Sequence, residues 1–398
     1  MDEWKAFGTE LRRLRLRAGL SVRGLARELH YDAGALSRFE NARRKPPFEL
    51  VEAMDRALSS GGSLGSLYES LVPVSPESDR ATRLQLRESV ALTERRYIDI
   101  ALAGELSELL AESRRLEDRV GSQLVLALGE RQARIAAALA VEARGVSRAD
   151  IVDAAAGWQQ FAGWLHASLG HHAAAIQHYR VALELATESG DPNMLSTALA
   201  MRGHVAWMAG DIGSMIGLSR AAQRDAGALN PTVLALAVQQ EGRGLGIEGD
   251  VDGMEVKLDT AAELIARGAD RPDAQYFYSD ALIEIQRGMA YRLARQWDKA
   301  VVWLDRGLAG FDSGLLGSEW ATWYVAEFAC ALAAAGEPEA ASDRARRALR
   351  VAMTTPGSRL PGFIRDLQRQ MAVKWPGNQA VAALGEELDD APPKQVGM

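Results

Sequence analysis

Glycine recurs in this chain at a nearly fixed interval: Gly170, Gly210 and Gly249 stand 40 and 39 residues apart, and Arg295 and Gly336 continue the series at 46 and 41. Seven residues before the first four of these stand Gly163, Gly203, Gly242 and Gly288. Five after come Ala175, Met215, Met254, Ala300 and Ala341, and twelve after come Ala182, Ala222, Ala261, Gly307 and Ala348. A period of this length marks stacked supersecondary units, none of which can bury its apolar face alone. Each unit reads as a helix, a turn at the marked position, and a second helix stopped by Gly190, Gly227, Gly268 or Gly314, with Pro192, Pro231 and Pro272 beyond three of those stops. Small residues fall where two helices must approach closely.

Between Trp158 and Leu185 the series Gly163, Gly170, Ala175, Tyr179, Ala182 resembles the tetratricopeptide repeat, and Gly288-x-x-Tyr291 carries another part of it. The resemblance covers about Asp153 to Ala352, with looser matches in the second and third copies. A period of about forty instead of the family's roughly thirty-four implies longer helices. What the resemblance implies is a right-handed superhelix whose concave face is lined by the first helix of each pair. Its inward positions then fall on Gln160 and Trp164, His204 and Trp207, Gln239 and Arg243, Arg292, and Trp323. Arg, Gln and Trp together suit an extended peptide, whose amides need hydrogen bonds and whose carboxylate needs a guanidinium. Tryptophan at helical spacing equally suits a core. Gln239 and Arg243, four apart on one face, are the stronger pair.

A second constraint lies near the start, in GLSVRGLARELHYDAGALSRFENARRK, Gly19 to Lys45. Val22, Leu25, Ala26 and Leu29 follow helical spacing, as do Ala35, Leu36 and Phe39, with Ser21 and Asp32 at the N-cap positions. Only His30 and Tyr31 remain for the turn, so two short helices must cross sharply. This stretch resembles the phage-repressor-like (Xre/Cro-type) helix-turn-helix: Leu20-Ser21, Leu25-Ala26, Asp32 through Asn41, and Arg43-Arg44-Lys45-Pro46 match, and the likeness spans about the first seventy residues. The sequence departs from the family at His30 and Ala42, where glycine is usual, and at Val22, where many relatives carry a polar side chain. The resemblance implies that Arg38 reads a base. It places Ser21, Ser37, Asn41, Arg43, Arg44 and Lys45 on phosphates, brings Ala33 and Gly34 close by their backbone, and pairs Arg15 with Glu40 inside the domain.

Helix one is expected from about Glu3 to Arg17, burying Phe7, Leu11 and Leu14; a fourth helix from Phe48 to Leu58; and a fifth around Leu64, Leu67, Tyr68 and Leu71. The division expected is a helix-turn-helix domain over 1–72, a proline-containing linker over 73–79, and a helical connector over 80–150. A tetratricopeptide-like domain over 151–385 and a tail over 386–398 complete it. In the connector Leu84, Leu92, Ile98, Leu102, Leu106 and Leu109 share roughly one side, with a break near Gly121; its task is joining head to body, or pairing with a second chain. The fold class is all-α: a five-helix head followed by an α-solenoid.

From Lys5 to Lys45 eleven Lys and Arg face four Asp and Glu, +7, against −7 for the whole chain, which leaves −14 on the rest. A basic head on an acidic body is the footprint of a protein that meets double-stranded DNA through one small domain. A single cysteine, Cys330, excludes an internal disulfide, and no apolar run is long enough to span a membrane, so a cytoplasmic location is expected. Arginine outnumbers lysine forty to six beside abundant alanine and glycine, a composition associated with GC-rich bacterial genomes. His166, His171, His172 and His178 cluster, but no Cys, Asp or Glu completes a tetrahedral set nearby in sequence, so no metal or cofactor is expected. Gly242-Arg-Gly244-Leu-Gly246 imitates a nucleotide loop from inside a repeat helix, with no strand before it. Catalysis has no visible carrier. The function expected is a dimeric, sequence-specific transcriptional regulator whose repeats sense a peptide, a small molecule or a protein partner. The alternative is an interaction scaffold whose head does not read DNA.

Overall fold

The computed structural model describes residues 3–29, 31–58, 60, 63–71, 100–268, 275–311 and 315–389. Expectations resting on His30, the linker 73–79, Leu84, Leu92, Ile98, Pro272, Gly314 and residues 390–398 lie outside these. The chain divides into two compact units, residues 1–89 and 90–398. Every regular element among the described residues is helical.

The first unit contains α1 (Glu3–Arg17), α2 (Val22–Glu28), α3 (Ala33–Glu40), α4 (Phe48–Ala57) and α5 (Ser63–Leu71). The two caps read from sequence are formed: the Ser21 hydroxyl accepts from the Gly24 amide and the Asp32 carboxylate from the Ala35 amide, satisfying first-turn N–H groups that have no partner within the helix. Phe7, Leu11 and Leu14 are buried with Trp4 against Leu25, Leu36, Phe39 and Met54. The edge-to-face contact of Trp4 with Tyr68 ties the first helix to the last.

The second unit opens with α6 (Ile100–Val120) and α7 (Ser122–Glu142) and continues as antiparallel pairs: α8 (Arg148–Ser168) with α9 (His172–Ser189), α10 (Pro192–Met208) with α11 (Ile212–Ala222), and α12 (Pro231–Glu248) with α13 (Val251–Arg267). Then come α14 (Asp280–Leu293) with α15 (Trp297–Gly310), α16 (Glu319–Ala335) with α17 (Pro338–Ala352), and α18 (Leu360–Lys374) with α19 (Gln379–Asp389). Neighbouring helices pack in chain order, giving a tetratricopeptide-like α-solenoid. Gly163, Gly203, Gly242 and Gly288 lie at the close approaches: a Cβ at Gly163 would stand 2.8 Å from the Tyr179 ring, and one at Gly288 would stand 2.8 Å from the Leu304 amide nitrogen. The nucleotide-loop look-alike has the same explanation, since Cβ atoms at Gly244 and Gly246 would meet Ile216 at 2.5 Å and Met254 at 2.4 Å. Of the sequence-read stops, Gly190 and Gly268 cap their helices, whereas α11 ends at Ala222, ahead of Gly227.

Two features go beyond the sequence reading. The helix-pair pattern extends at both ends: Gly121 between α6 and α7 and Gly377 between α18 and α19 also have positive φ, at 82° and 88°. The described part of the expected connector is therefore a helix pair of the solenoid itself, packed on α8, with the Trp158 indole donating to the Leu106 carbonyl at 3.1 Å. The solenoid also meets its own beginning. Arg359, just before α18, donates from Nε to the Ser168 carbonyl at 2.9 Å, and Cβ atoms at Gly121 and Gly357 would stand 2.6 Å from Thr355 and 2.9 Å from Gln123.

All five repeat turns share one hydrogen-bond pair, in which the marked residue donates to the carbonyl three back and its successor to the carbonyl five back. At Gly210 the two are Gly210 to Trp207 and Asp211 to Ala206, both at 2.9 Å. Arg295 does the same at φ 59°, and Ala42 closes α3 in the same way at φ 53°. A side chain in this region costs roughly 1–2 kcal/mol, partly offset by its smaller unfolded-state entropy. Arg295→Gly and Ala42→Gly should therefore each raise stability by about 0.5–1 kcal/mol, and Gly210→Ala should lower it by a similar amount, read as shifts of the thermal unfolding midpoint.

Candidate functional site

In the head, Arg15 fastens α1 to α3. Its Nε and Nη2 donate to the Glu40 carboxylate at 2.5 and 2.9 Å, and Nη1 donates to the Leu20 carbonyl at 2.7 Å. Both side chains are under a tenth exposed, so removing either would strand a buried charge. With its apolar side fixed, α3 exposes Gly34 and Arg38. The Arg38 side chain is 49% exposed, and it pairs at 3.5 Å with the still more open Asp32. Arg43, Arg44 and Lys45 follow the helix and are exposed, with Lys45 over the Trp4 ring at 5.2 Å. Asn41 is exposed and its amide donates to the Ser37 carbonyl at 2.7 Å; Ser21 is exposed and accepts as a cap; Ala33 and Ser37 are half-buried.

In the second unit the first helices of five successive pairs, with α6, surround a cavity of about 470 Å³. Gln160, Trp164, His204, Gln239 and Arg243 all line it, as do Trp207 and Trp323. Arg292 stands outside the lining and pairs at 2.7 Å with Glu327, which does line it. Gln239 is engaged by its neighbours: its amide donates to Gln286 at 3.2 Å and its carbonyl accepts from the Tyr278 hydroxyl at 3.3 Å. Arg243 is 3% exposed, its guanidinium lies 4.3 Å from the Trp207 ring centre, and it meets His204 Nδ1 at 3.2 Å and the Gln240 side-chain oxygen at 3.4 Å.

Sequence reasoning missed the carboxylates of this wall. Asp118 accepts from the Trp320 indole at 2.6 Å and from the Tyr276 hydroxyl; Glu319 accepts from Trp323 at 3.3 Å and Ser358 at 2.9 Å; Glu117 accepts from Ser122 at 2.6 Å and from Trp164. Three acids thus hold three indoles by their N–H groups. Gly121 stands 49 residues before Gly170, outside the 39- to 46-residue spacing of the repeat glycines, so the spacing did not assign Arg114, Glu117 and Asp118 to the solenoid. The histidine cluster also gains an acid from this pair: Glu130 of α7 lies 3.0 Å from His166 Nε2, and Glu130, His166 and His178 offer ligand atoms within 4.8 Å of one another. The interval of 36 residues between Glu130 and His166 hid that approach.

Residues 6–64 match the helix-turn-helix domain family. No curated protein sequence matches the chain. Solved structures similar to it include BtubC (BKLC) from P. vanneervenii, at 20% identity and TM-score 0.41 over 57% of this chain and 89% of that one. PlcR of Bacillus thuringiensis, in complex with the peptide PapR7 and DNA, matches at 13% and 0.30 over 76% and 95%. The APC/C hetero-tetramer Cut9-Hcn1 matches at 14% and 0.38 over 93% and 67%. The chain carries a helix-turn-helix domain at its N-terminus, followed by the solenoid. Among the described residues no helix is long and apolar enough to cross a membrane.

Burial acts on the cavity's titrating groups in opposite senses. It pushes Glu117 up to about 7 and raises Asp118, Glu319 and Glu327, while it drives His204 down to about 3 with Arg243 adding to the effect. Between 4.5 and about 7 the folded protein holds a proton on Glu117 that the unfolded chain has lost, so stability falls as pH rises through that window. His204 runs the other way: below 6.5 the unfolded chain takes up a proton and the folded one does not, so its contribution is present above 6.5 and is lost as pH falls. Above pH 6.5 the Glu117 trend remains. Glu117→Gln should remove about 1 kcal/mol of the stability loss between pH 6.5 and 8, measured by denaturant unfolding at the two values.

Proposed function

We propose that the protein is a sequence-specific DNA-binding transcriptional regulator that acts as a homodimer, with the solenoid cavity receiving a signal molecule. The observation that carries this reading is the open, basic side of the helix-turn-helix: Arg38 stands clear of the core, with exposed Arg43 and Arg44 directly after the helix. Arg38 reads a guanine edge in the major groove, Arg43, Arg44 and Lys45 neutralise phosphates, and Ser21, Ser37 and Asn41 donate to them, while Ala33 and Gly34 let the helix backbone approach. A head of this size makes few contacts, so two heads on a two-fold site supply the specificity.

The solenoid supports the sensing half of the reading, because a cavity of about 470 Å³ with aromatic walls and converging polar and charged side chains has the dimensions of a ligand site. A ligand changes DNA affinity only through a difference in its affinity for two arrangements of the dimer. The cavity rather than an open groove is its place.

Selection of binding sites from random duplex provides the test. Arg38→Ala should lose roughly 1–3 kcal/mol of discrimination at one base position in each half-site. Arg44→Ala should weaken all sequences alike and reduce the salt slope of binding by about one. A consensus unchanged by Arg38→Ala would remove the base-reading role, and failure of the whole protein to bind random duplex at low salt would leave the scaffold reading.

A further inference from the structure

We propose that the solenoid cavity binds a small organic anion, with a flat apolar body and one carboxylate, the carboxylate on the Arg243 guanidinium and the body against the indoles of Trp164 and Trp207. The proposal rests on the reading of this cavity as a ligand site and names the class of ligand.

Arg243 is a cation placed where a cation is unfavourable. It is 3% exposed, and its Nε has no hydrogen-bond partner. The groups it does meet, His204 and Gln240, are neutral, since burial keeps the His204 ring unprotonated. Glu327 acts on it only through space and is paired with Arg292 at 2.7 Å. A buried charge is ordinarily balanced by an opposite charge with good hydrogen-bond geometry. Here, among the described residues, no carboxylate of the wall hydrogen-bonds Arg243.

The other acids of the cavity do not fill the need. Asp118, Glu319 and Glu117 are each occupied by an indole N–H and a hydroxyl. Their effect is to fix Trp320, Trp323 and Trp164 and so to pre-form the walls. Of the other two arginines of the lining, Arg114 donates to the Gln160 side chain at 3.1 Å and Arg359 to the Ser168 carbonyl at 2.9 Å. A guanidinium whose Nε–H is unpaired and whose remaining acceptors are neutral, lying over the Trp207 ring, offers charged N–H donors to a carboxylate. The space available, about 470 Å³, limits the body to one or two fused rings or an equivalent chain.

The test uses the full-length protein. Indole-3-acetate, 4-hydroxyphenylacetate and 1-naphthoate are titrated against their primary amides, followed by tryptophan fluorescence and thermal shift. The expected result is saturable binding of at least one acid, tenfold or more tighter than its amide. Arg243→Met should abolish that preference and leave the unliganded midpoint unchanged or higher, because it removes an uncompensated buried charge; a purely structural arginine would give a lower midpoint. Arg243→Lys, which keeps the charge but not the fork, should retain the preference with weaker binding, and it serves if the Met variant fails to fold. Amides binding as well as acids, an acid preference that survives Arg243→Met, or no acid binding at millimolar concentration would each overturn the proposal. In the last case, thermal stabilisation by the amides or by a library of short peptides would keep the cavity as a ligand site of another class. Its absence would end that reading as well.

Discussion

The solenoid's arrangement turns on a meeting of distant parts. A run of helix pairs has no inherent reason to stop curving, and here it comes back on itself where Arg359 bonds the Ser168 carbonyl and Thr355 and Gly357 press on Gly121 and Gln123. Near that closure the concave side holds a cavity lined mainly by first helices, α6 among them, with residues 275–278 completing part of the wall. Removal from water follows, and with it the upward displacement of the Glu117, Asp118, Glu319 and Glu327 carboxyls and the downward displacement of His204.

Local rules were readable in the chain, and relations across it were not. The caps at Ser21 and Asp32 and the five turn positions are settled by hydrogen bonds within a few residues, which single-sequence reasoning handles well. Arg295 was placed in the series by spacing alone, against its side chain, and it adopts the left-handed turn all the same; the stacking of its helices overrides its own preference. The face of each first helix could also be phased from the period, which is why Gln160, His204 and Arg243 fall around one space. Nothing local announced that α6 would join them. Asp118 reaches Trp320 across 202 residues of sequence, and a contact of that separation leaves no periodic trace. The same limit hid Glu130 from the histidines.

The carboxylates of the cavity illustrate how one group serves both stability and readiness. Burying an acid is costly unless its oxygens are satisfied, and here Asp118, Glu319 and Glu117 are each met by an indole and a hydroxyl, while Glu327 pairs with Arg292. The reciprocal benefit is that a tryptophan held by its N–H presents a fixed face. Large aromatic walls of this kind lose little entropy when something lies against them, since their orientation is already set.

An open array of helix pairs can gain or shed a member and remain an array, because each pair answers only to its neighbours. This one has surrendered that freedom. With Arg359 required to find Ser168, duplication or loss of a pair would throw the seam out of register, so descendants of this chain can diversify their surfaces and their cavity walls but not their count. The left-handed turn at Arg295 lies within the same closed run of pairs.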